Sequence, residues 1–457
     1  MATNSDLFKR AADHAIAYLD TIGDRHVGAL ATGDDLRHQL AVPLTENGEP
    51  ETAVIDALAQ AGALGTVATQ GPRYFGFVVG GSVPAATAAD WLVAAWDQNA
   101  GLFVLSPLVS VVEDVTAAWM KDLAGLPAGW STGFVTGCQA ANFTAVATAR
   151  HHLLAQVGWD VEARGLYGAP DLHVVCSDES HYTIFNALKL LGLGAARVTR
   201  VATDEQGRMR ADALAHVLGA LEGPTLVCAQ AGNVNTGAFD PLDDIATITA
   251  GHGAWLHVDG AFGLWAAASR TRAHLVRGIE RADSVATDAH KWLNVPYDSG
   301  VVFTAHPASH RRAMTLSAAY IVESAKERDP HEFVPEESRR GRAVPIYAAL
   351  RVMGRQGVAE LVDRCCALAS RLADRLAAEP RLEVLNDVVL NQVLVRVRGA
   401  GPDGATRAMV ARVQEEGTCW ASGTTWHGMS ALRLSVSNYS TREHDIDRAA
   451  DAIVRSI

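Results

Sequence analysis

The sequence predicts an α/β fold built around a mainly parallel sheet. Two observations carry that prediction. Short, β-branched, nearly continuous apolar runs ("DLHVVCS", "ARVTRVAT", "PTLVCAQ", "AWLHVD", "DSVATDA", "SGVVFTA") recur between about residues 85 and 305, as strands covered on both faces do. Helical stretches such as "GCQAANFTAVATARHHLLAQV" and "MRADALAHVLGALEG" alternate with them. A chain of 457 residues exceeds one small core, so a second packed unit is expected.

In chain order, the first element is an amphipathic helix. Leu7, Ala11, Ala12, Ile16 and Leu19 fall at helical spacing in "MATNSDLFKRAADHAIAYLD", which makes a face that docks on something. The same stretch lacks a basic region followed by an apolar one, and no run approaches the roughly 18 apolar residues of a membrane span, so no membrane is expected. The strand and helix alternation follows. After "PEESRRGRAVPIYAALRVMGRQG" the texture changes to long Ala/Leu/Arg-rich helices. "LEVLNDVVLNQVLVRVRG" and "ALRLSVSN" then read as strands of a smaller α+β unit, with a boundary near residue 345.

Composition excludes several function classes. Against 39 Lys and Arg stand 51 Asp and Glu, a net charge of −12 that disfavours phosphate backbones and anionic membranes; no nucleic-acid partner is expected. The six cysteines include no C-x-x-C pair, so zinc-ligand spacing is absent and no metal is expected. Cys176 and Cys228 lie inside apolar runs as buried thiols, which suits a reduced, cytoplasmic protein.

Ligands of doubly wound sheets collect outside the carboxyl ends of the strands, so polar residues that end strands are the candidates. "FVTGCQAANF" sets Thr136, Gly137, Cys138 and Gln139 before a helix, where free N–H groups and the helix dipole favour an anion. "VVCSDESHYTIF" puts His181 near a helix start, and "WLHVDGAFG" ends a strand with Asp259, Gly260 and Ala261. Each alone reads as an ordinary cap or turn. Lys291 in "DAHKWLN" changes the weighting, because a lysine, a strand-ending aspartate, an anion site and an imidazole together match what pyridoxal phosphate requires. A partly desolvated Lys291 amine, its pKa lowered, would join the aldehyde. Asp259 would keep the pyridine nitrogen protonated, and His181 would stack on the ring.

At these residues the chain resembles the group II pyridoxal-phosphate decarboxylases, the fold-type-I family that includes aromatic amino acid, glutamate and cysteine sulfinate decarboxylases. The resemblance runs through "PRYFGFVVGGSVP", "WDQNAG", "LSPLVSVVEDVTAAWM", "SDESHYTIFNALKLLGLG", "NVNTGAFDPL", "HVDGAFG", "DAHKWLN" and "ALRLSVSN". It implies a mixed, mainly parallel seven-stranded sheet between helices in a large domain over 74–345. An N-terminal helical dimerisation segment over 1–73 and a small domain over 346–457 would complete the chain. It further implies a homodimer with active sites at the interface, acting on an amino acid through a Lys291 aldimine. Asp259 would pair with the pyridinium, Ala261 would lie against the ring and His181 would cover it. His290, Gly137, Cys138, Gln139 and Asn233 would lie near the cofactor.

The chain departs from the family in three places. Gly137-Cys138-Gln139-Ala140 replaces a Gly-Gly-Thr-Glu-type turn, which shifts phosphate contacts toward the backbone. Gly232-Asn233-Val234 replaces Gly-Thr-Thr, removing a hydroxyl. In the closing loop, "IVESAKERDPHEFVPEESRR", His331 or Phe333 stands about where relatives carry a tyrosine, with Tyr320 nearby. That tyrosine is associated with protonation after CO2 loss, so oxidative decarboxylation-deamination to an aldehyde stays open beside simple decarboxylation. A fold-type-I aminotransferase, with Arg433 on the substrate carboxylate, is the other alternative. By the same resemblance Phe77, Val78, Val79, Leu102, Phe103 and Phe333 would form the substrate pocket. Those walls are apolar, and Arg73 is the one basic residue in "PRYFGFVVGG" and "NAGLFVL", so an aromatic or aliphatic substrate is favoured over an acidic one. Trp420 and Trp426 either cover the site or pack the small domain.

Overall fold

The computed structural model describes residues 3–315, 326–399 and 401–457. Tyr320 lies outside the described residues. The chain divides into two compact units: residues 1–79, 370–385 and 393–457 form one, and residues 80–369 with 386–392 form the other.

The first unit begins with helices α1 (Asn4–Asp20), α2 (Gly33–Leu40) and α3 (Glu51–Gly65). Thr3 and Thr32 open α1 and α2 with capping boxes, closed by Asp6 and Asp35, which satisfy otherwise orphaned N–H groups. The predicted amphipathic helix is therefore present. It buries no residue, and Phe8 and Ile16 on α1 and Leu58 and Leu64 on α3 stay exposed.

The second unit holds a seven-stranded sheet of β1 (Ser131–Val135), β2 (His173–Ser177), β3 (Thr199–Val201), β4 (Thr225–Gln230), β5 (Trp255–Asp259), β6 (Ser284–Asp288) and β7 (Gly300–Thr304). Six of these are the apolar runs read from the sequence. The order is β1-β7-β6-β5-β4-β2-β3. β7 runs antiparallel to both β1 and β6, and the other pairs are parallel. This is the mixed, seven-stranded α/β sheet the resemblance implied. β4, β5, β6 and β7 are buried along their whole length, as expected for strands with helices on both faces. Helices α4 (Pro84–Trp96), α5 (Pro107–Leu123), α6 (Cys138–Gln156), α7 (Tyr182–Leu190) and α8 (Pro307–Met314) belong to this unit.

The segment 326–342 is clamped onto the second unit by ions. Glu113 of α5, with no exposed surface, takes Arg339 at 2.7 Å and Arg328 at 3.4 Å. Arg328 also donates to the Thr132 carbonyl at 2.5 Å, and Arg342 pairs with Asp298 at 2.9 Å. Asp329 accepts the Phe103 N–H at 2.8 Å, and the His331 N–H bonds the Gly101 carbonyl at 2.9 Å.

The first unit is completed by a four-stranded sheet, ordered β10-β11-β9-β8, of β8 (Leu382–Val384), β9 (Gln392–Val397), β10 (Ser422–Trp426) and β11 (Met429–Ser435). Arg73 binds the N-terminal segment to this sheet region: its guanidinium donates to the carbonyls of Thr418 at 2.6 Å, Gly23 at 2.7 Å and Arg25 at 3.3 Å. Trp426 is buried against Leu394 and Ala431, so it packs the small sheet. Trp420 stacks on Tyr74 at 5.2 Å and meets Phe77 at 5.6 Å.

Removing one partner of the buried Glu113–Arg339 pair leaves an uncompensated charge. Glu113→Leu or Arg339→Met alone is expected to cost about 3–5 kcal/mol in urea unfolding, and the double variant is expected to recover most of that. Additive losses in the double variant would contradict this account.

Candidate active site

The carboxyl ends of β5 and β6 each present a carboxylate, Asp259 and Asp288. β5 and β6 are neighbours, with Asp259 in register with Ala286, so both acids reach the same edge of the sheet. Helix α6 starts over that edge. Gly137 is its N-cap and supplies no side-chain bond, so the first N–H groups lack i−4 partners. One of them, from Cys138, donates to Asp288 Oδ1 at 2.5 Å. A cavity of about 450 Å3 lined by Thr136, Gly137, Gln139, Ala140, Phe143 and Leu190 opens beside this helix start. The unit's larger cavity, about 760 Å3, lies among Asp122, Ala268, Arg277, Arg355 and Glu360 and gathers none of these residues.

Lys291 follows β6, its side chain 19% exposed, with Nζ at 2.8 Å from Asp288 Oδ2. Burial pulls its pKa down, but the charge and hydrogen bond of Asp288 outweigh burial and hold the ammonium above its ordinary value. This corrects the sequence expectation of a lowered pKa, which counted desolvation without the strand-ending partner. His290 accepts the Ser299 N–H on Nδ1 at 3.0 Å, which leaves Nε2 to donate to Asp288 Oδ1 at 3.2 Å. Burial lowers the His290 pKa, in keeping with that neutral form. The Tyr297 ring stacks on His290 at 4.2 Å.

Asp259 is 6% exposed and is held by neutral donors. The Ala261 N–H and the Cys138 thiol approach Oδ1 at 3.1 and 3.4 Å, and the Asn142 amide reaches Oδ2 at 2.9 Å. Burial, and then the charge of Asp259, push the Cys138 thiol well above its ordinary pKa, so it stays a donor. A carboxylate offers about four acceptor positions, so one remains for a further donor. His181 is the N-cap of α7, half-buried, with Nδ1 at 2.8 Å from Thr183 Oγ1. Thr183 in turn accepts from Asn142 at 3.3 Å.

Close backbone approaches shape the rest. A Cβ on Gly80 would lie 1.7 Å from the Lys291 carbonyl, and one on Gly137 would lie 3.1 Å from His290. Side chains are excluded at the first position and crowded at the second. Ala261 joins the cluster of Val135, Cys138, Ala286 and Val302.

Lys291, Asp259, His181, His290, Gly137, Cys138, Gln139 and Ala261 are thus gathered at one edge of the sheet. Asn233 is buried; its Oδ1 accepts the N–H groups of Asn235 and Thr236 at 2.8 and 3.2 Å, and its amide reaches the Glu179 carbonyl, two residues before His181, at 3.5 Å. Leu102 is buried and Phe103 is tied to Asp329. Phe333 packs edge-on against His310 at 5.3 Å and under Arg328, and His331 is buried on Gly101. Phe77, Val78 and Val79 belong to the first unit, where Phe77 and Val78 hold positive φ angles of 52° and 56°. Sequence reasoning missed Asp288, Asn142 and His257. Asp288 ends a strand just as Asp259 does, Asn142 lies one helical turn beyond Cys138, and His257 shares the Asp259 face of β5 at i−2.

The family model "Pyridoxal-dependent decarboxylase conserved domain" matches residues 34–398. The chain belongs to this family. Among its relatives, the aromatic-L-amino-acid decarboxylase of Bacillus atrophaeus is 28% identical over 395 residues, covering 85% of this chain and 80% of that protein. The cysteine sulfinic acid decarboxylase of Rattus norvegicus is 28% identical over 469 residues, covering 97% and 93%. The fold matches that of Oryza sativa TDC solved with PLP and tryptamine, with a TM-score of 0.91 at 22% identity over 98% of this chain and 96% of that one. Pyridoxal phosphate is the cofactor of this decarboxylase family, and its members are carboxy-lyases. The residues here fit such a group: Asp259 retains an open acceptor position, α6 has an uncapped start beside a cavity, and Gly80 keeps the Lys291 backbone clear of side chains.

Only an unprotonated amine attacks an aldehyde. Because Asp288 favours the ammonium, uptake of pyridoxal phosphate by the apo protein is expected to speed up as pH rises. Asp288→Asn, which keeps an acceptor for the Cys138 N–H, should shift that rate profile about one pH unit or more lower. An unmoved profile in stopped-flow absorbance would contradict the role given to Asp288.

Proposed function

We propose that this chain decarboxylates an L-amino acid with an aromatic or aliphatic side chain, releasing CO2 and the amine, with Lys291 holding the cofactor. Bound here, pyridoxal phosphate supplies an aldehyde for amines and a ring that accepts the electron pair left when CO2 departs. The rest is the work of the chain. The Lys291 amine would be the attachment point, and Asp259 would accept a hydrogen bond from the protonated ring nitrogen at its open position. The N–H groups of Gln139 and Ala140, with the α6 dipole, would hold the phosphate beside Gly137 and Cys138, and His290, bonded to Ser299 and Asp288, would lie near that end. Ala261 would bound one ring face. His181, its Nδ1 beside Thr183, would cover the other and move a proton at the substrate Cα through Nε2.

The single observation that carries the substrate preference is the engagement of Arg73. It is the basic residue in the two stretches proposed to line the pocket, and three main-chain carbonyls occupy its guanidinium. The other candidate residues in these stretches are apolar, so an acidic side chain would find no counter-ion among them. The rat relative is named for an acidic substrate, so the choice is open to direct measurement.

We further propose a homodimer. Its support is the exposed apolar surface left on each unit: Phe8, Ile16, Leu58 and Leu64 on the first, and Trp91, Leu92, Trp96, Leu108 and Val111 on the second. No helix among the described residues is long and apolar enough to cross a membrane, and no group of three or more His, Cys, Asp or Glu there could hold a metal ion. All six cysteines are free and buried, which supports a cytoplasmic setting.

Purified protein with pyridoxal phosphate is expected to release CO2 and amine in equal amounts from aromatic or branched aliphatic L-amino acids. Their kcat/KM should exceed those for glutamate and cysteine sulfinate by about tenfold or more, and Lys291→Ala should abolish turnover. Aldehyde with peroxide in place of amine, or preference for an acidic substrate, would overturn the respective part. In sedimentation the particle is expected at about twice 48.4 kDa, and Phe8→Asp with Leu58→Asp should shift it toward monomer; an unchanged wild-type and variant mass would argue against this surface.

A further inference from the structure

Behind Asp259 a line of fully buried polar groups runs into the sheet. The Trp255 indole N–H donates to Ser284 Oγ at 2.9 Å, and Ser284 Oγ lies 2.9 Å from His257 Nδ1. His257 Nε2 lies 2.9 Å from Asn142 Oδ1, and Asn142 Nδ2 reaches Asp259 Oδ2 at 2.9 Å and Thr183 Oγ1 at 3.3 Å. Asn142, His257 and Ser284 have no exposed surface, and Trp255 is 2% exposed.

The two ends of this line set its polarity. An indole can only donate, and an ionised carboxylate can only accept. Asn142 must therefore turn Nδ2 toward Asp259, since the flipped amide would set two acceptors against each other. Its Oδ1 then needs a donor, which places the His257 proton on Nε2 and makes Nδ1 the acceptor of the Ser284 hydroxyl. Burial lowers the His257 pKa to about 4, so the ring is neutral through the physiological range and this arrangement holds there. The second Asn142 N–H is taken by Thr183 Oγ1, which lies 2.8 Å from His181 Nδ1.

We propose that Asn142, oriented by His257, is a positioning residue that fixes the rotation of the Asp259 carboxylate. The proposal rests on the pyridoxal-phosphate reading of the site. It assigns to four neutral residues on β5, β6 and α6 the task of presenting one open acceptor on Asp259 toward the bound ring. An ordinary set of satisfied core hydrogen bonds would predict a cost in stability alone. The positioning role predicts a change in how the cofactor is held in protein that is still folded.

The test compares Asn142→Leu, His257→Leu, His257→Gln and Ser284→Ala with wild type. Each apo protein is melted to establish that it folds, then titrated with pyridoxal phosphate by absorbance and intrinsic fluorescence. Loss of a charge-assisted bond corresponds to a cofactor Kd about ten- to hundredfold weaker in Asn142→Leu. A smaller loss is expected in His257→Leu and the least in Ser284→Ala. The visible band of the bound cofactor should also move in Asn142→Leu and His257→Leu. His257→Gln keeps a side-chain N–H and is expected to return Kd and band toward wild type. If Asn142→Leu does not fold, the ordered comparison of His257→Leu, His257→Gln and Ser284→Ala decides by itself. Equal losses in His257→Gln and His257→Leu would assign the effect to packing and overturn the proposal. So would wild-type Kd and band in Asn142→Leu or, where that variant does not fold, in His257→Leu. Wild-type protein that takes up no pyridoxal phosphate overturns the parent reading and this inference with it; normal uptake by wild type and variants alike overturns the inference alone.

Discussion

A carboxylate set 6% exposed at the end of a buried strand, as Asp259 is, has lost most of its water and must be compensated by the protein. Three neutral donors do this: a main-chain N–H, an amide and a thiol kept protonated by its own burial. None of them cancels the charge. One strand over, Asp288 meets the opposite solution, with the Lys291 ammonium at 2.8 Å and the Cys138 N–H at 2.5 Å. Two acids of identical chemistry thus differ in what they can still do. Asp259 keeps a charge that no cation meets among the bonds it makes, whereas Asp288 spends its charge on the lysine and on the helix start.

The sheet topology makes this division geometrically cheap. Parallel β5 and β6 deliver both acids to one edge, and β7, antiparallel to β6 and to β1, returns the chain so that Gly300 lies directly against Gly137. That contact sets the start of α6 above the two carboxylates. Helix spacing then places Cys138 and Asn142 one turn apart over Asp259. The ion cluster around Glu113 holds the segment 326–342 to the same unit, tying Asp329 and His331 to the loop of Gly101 and Phe103.

Much of this was legible in the residues. Six apolar runs became six strands, because continuous β-branched segments bounded by turns have few other solutions in an α/β protein. Lys291, Asp259 and His181 stood out as polar residues ending or following such runs. β10 was harder to see: "SGTTW" is small and polar until its last residue, and only its two ends are buried. Asn142 and His257 were hidden for a different reason. Both are polar residues inside elements whose neighbours read as core, and only the packing of α6 on β5 brings them together behind Asp259. The Lys291 ionisation was misjudged because desolvation can be guessed from a buried run, while a partner at i−3 depends on how the chain turns after the strand. The placement of Phe333 also needed the fold, since its packing on His310 joins residues of two separate segments.

The central claim is that the edge formed by β5, β6 and the start of α6 holds pyridoxal phosphate through Lys291. The chain contains five lysines, Lys9, Lys121, Lys189, Lys291 and Lys326, which makes attachment directly mappable. Borohydride reduction of the protein loaded with pyridoxal phosphate, followed by peptide mass spectrometry, is the most direct measurement. The phosphopyridoxyl mass is predicted on the peptide carrying Lys291 and on no other; label at another lysine, or no label on protein that has bound the cofactor, would contradict the account.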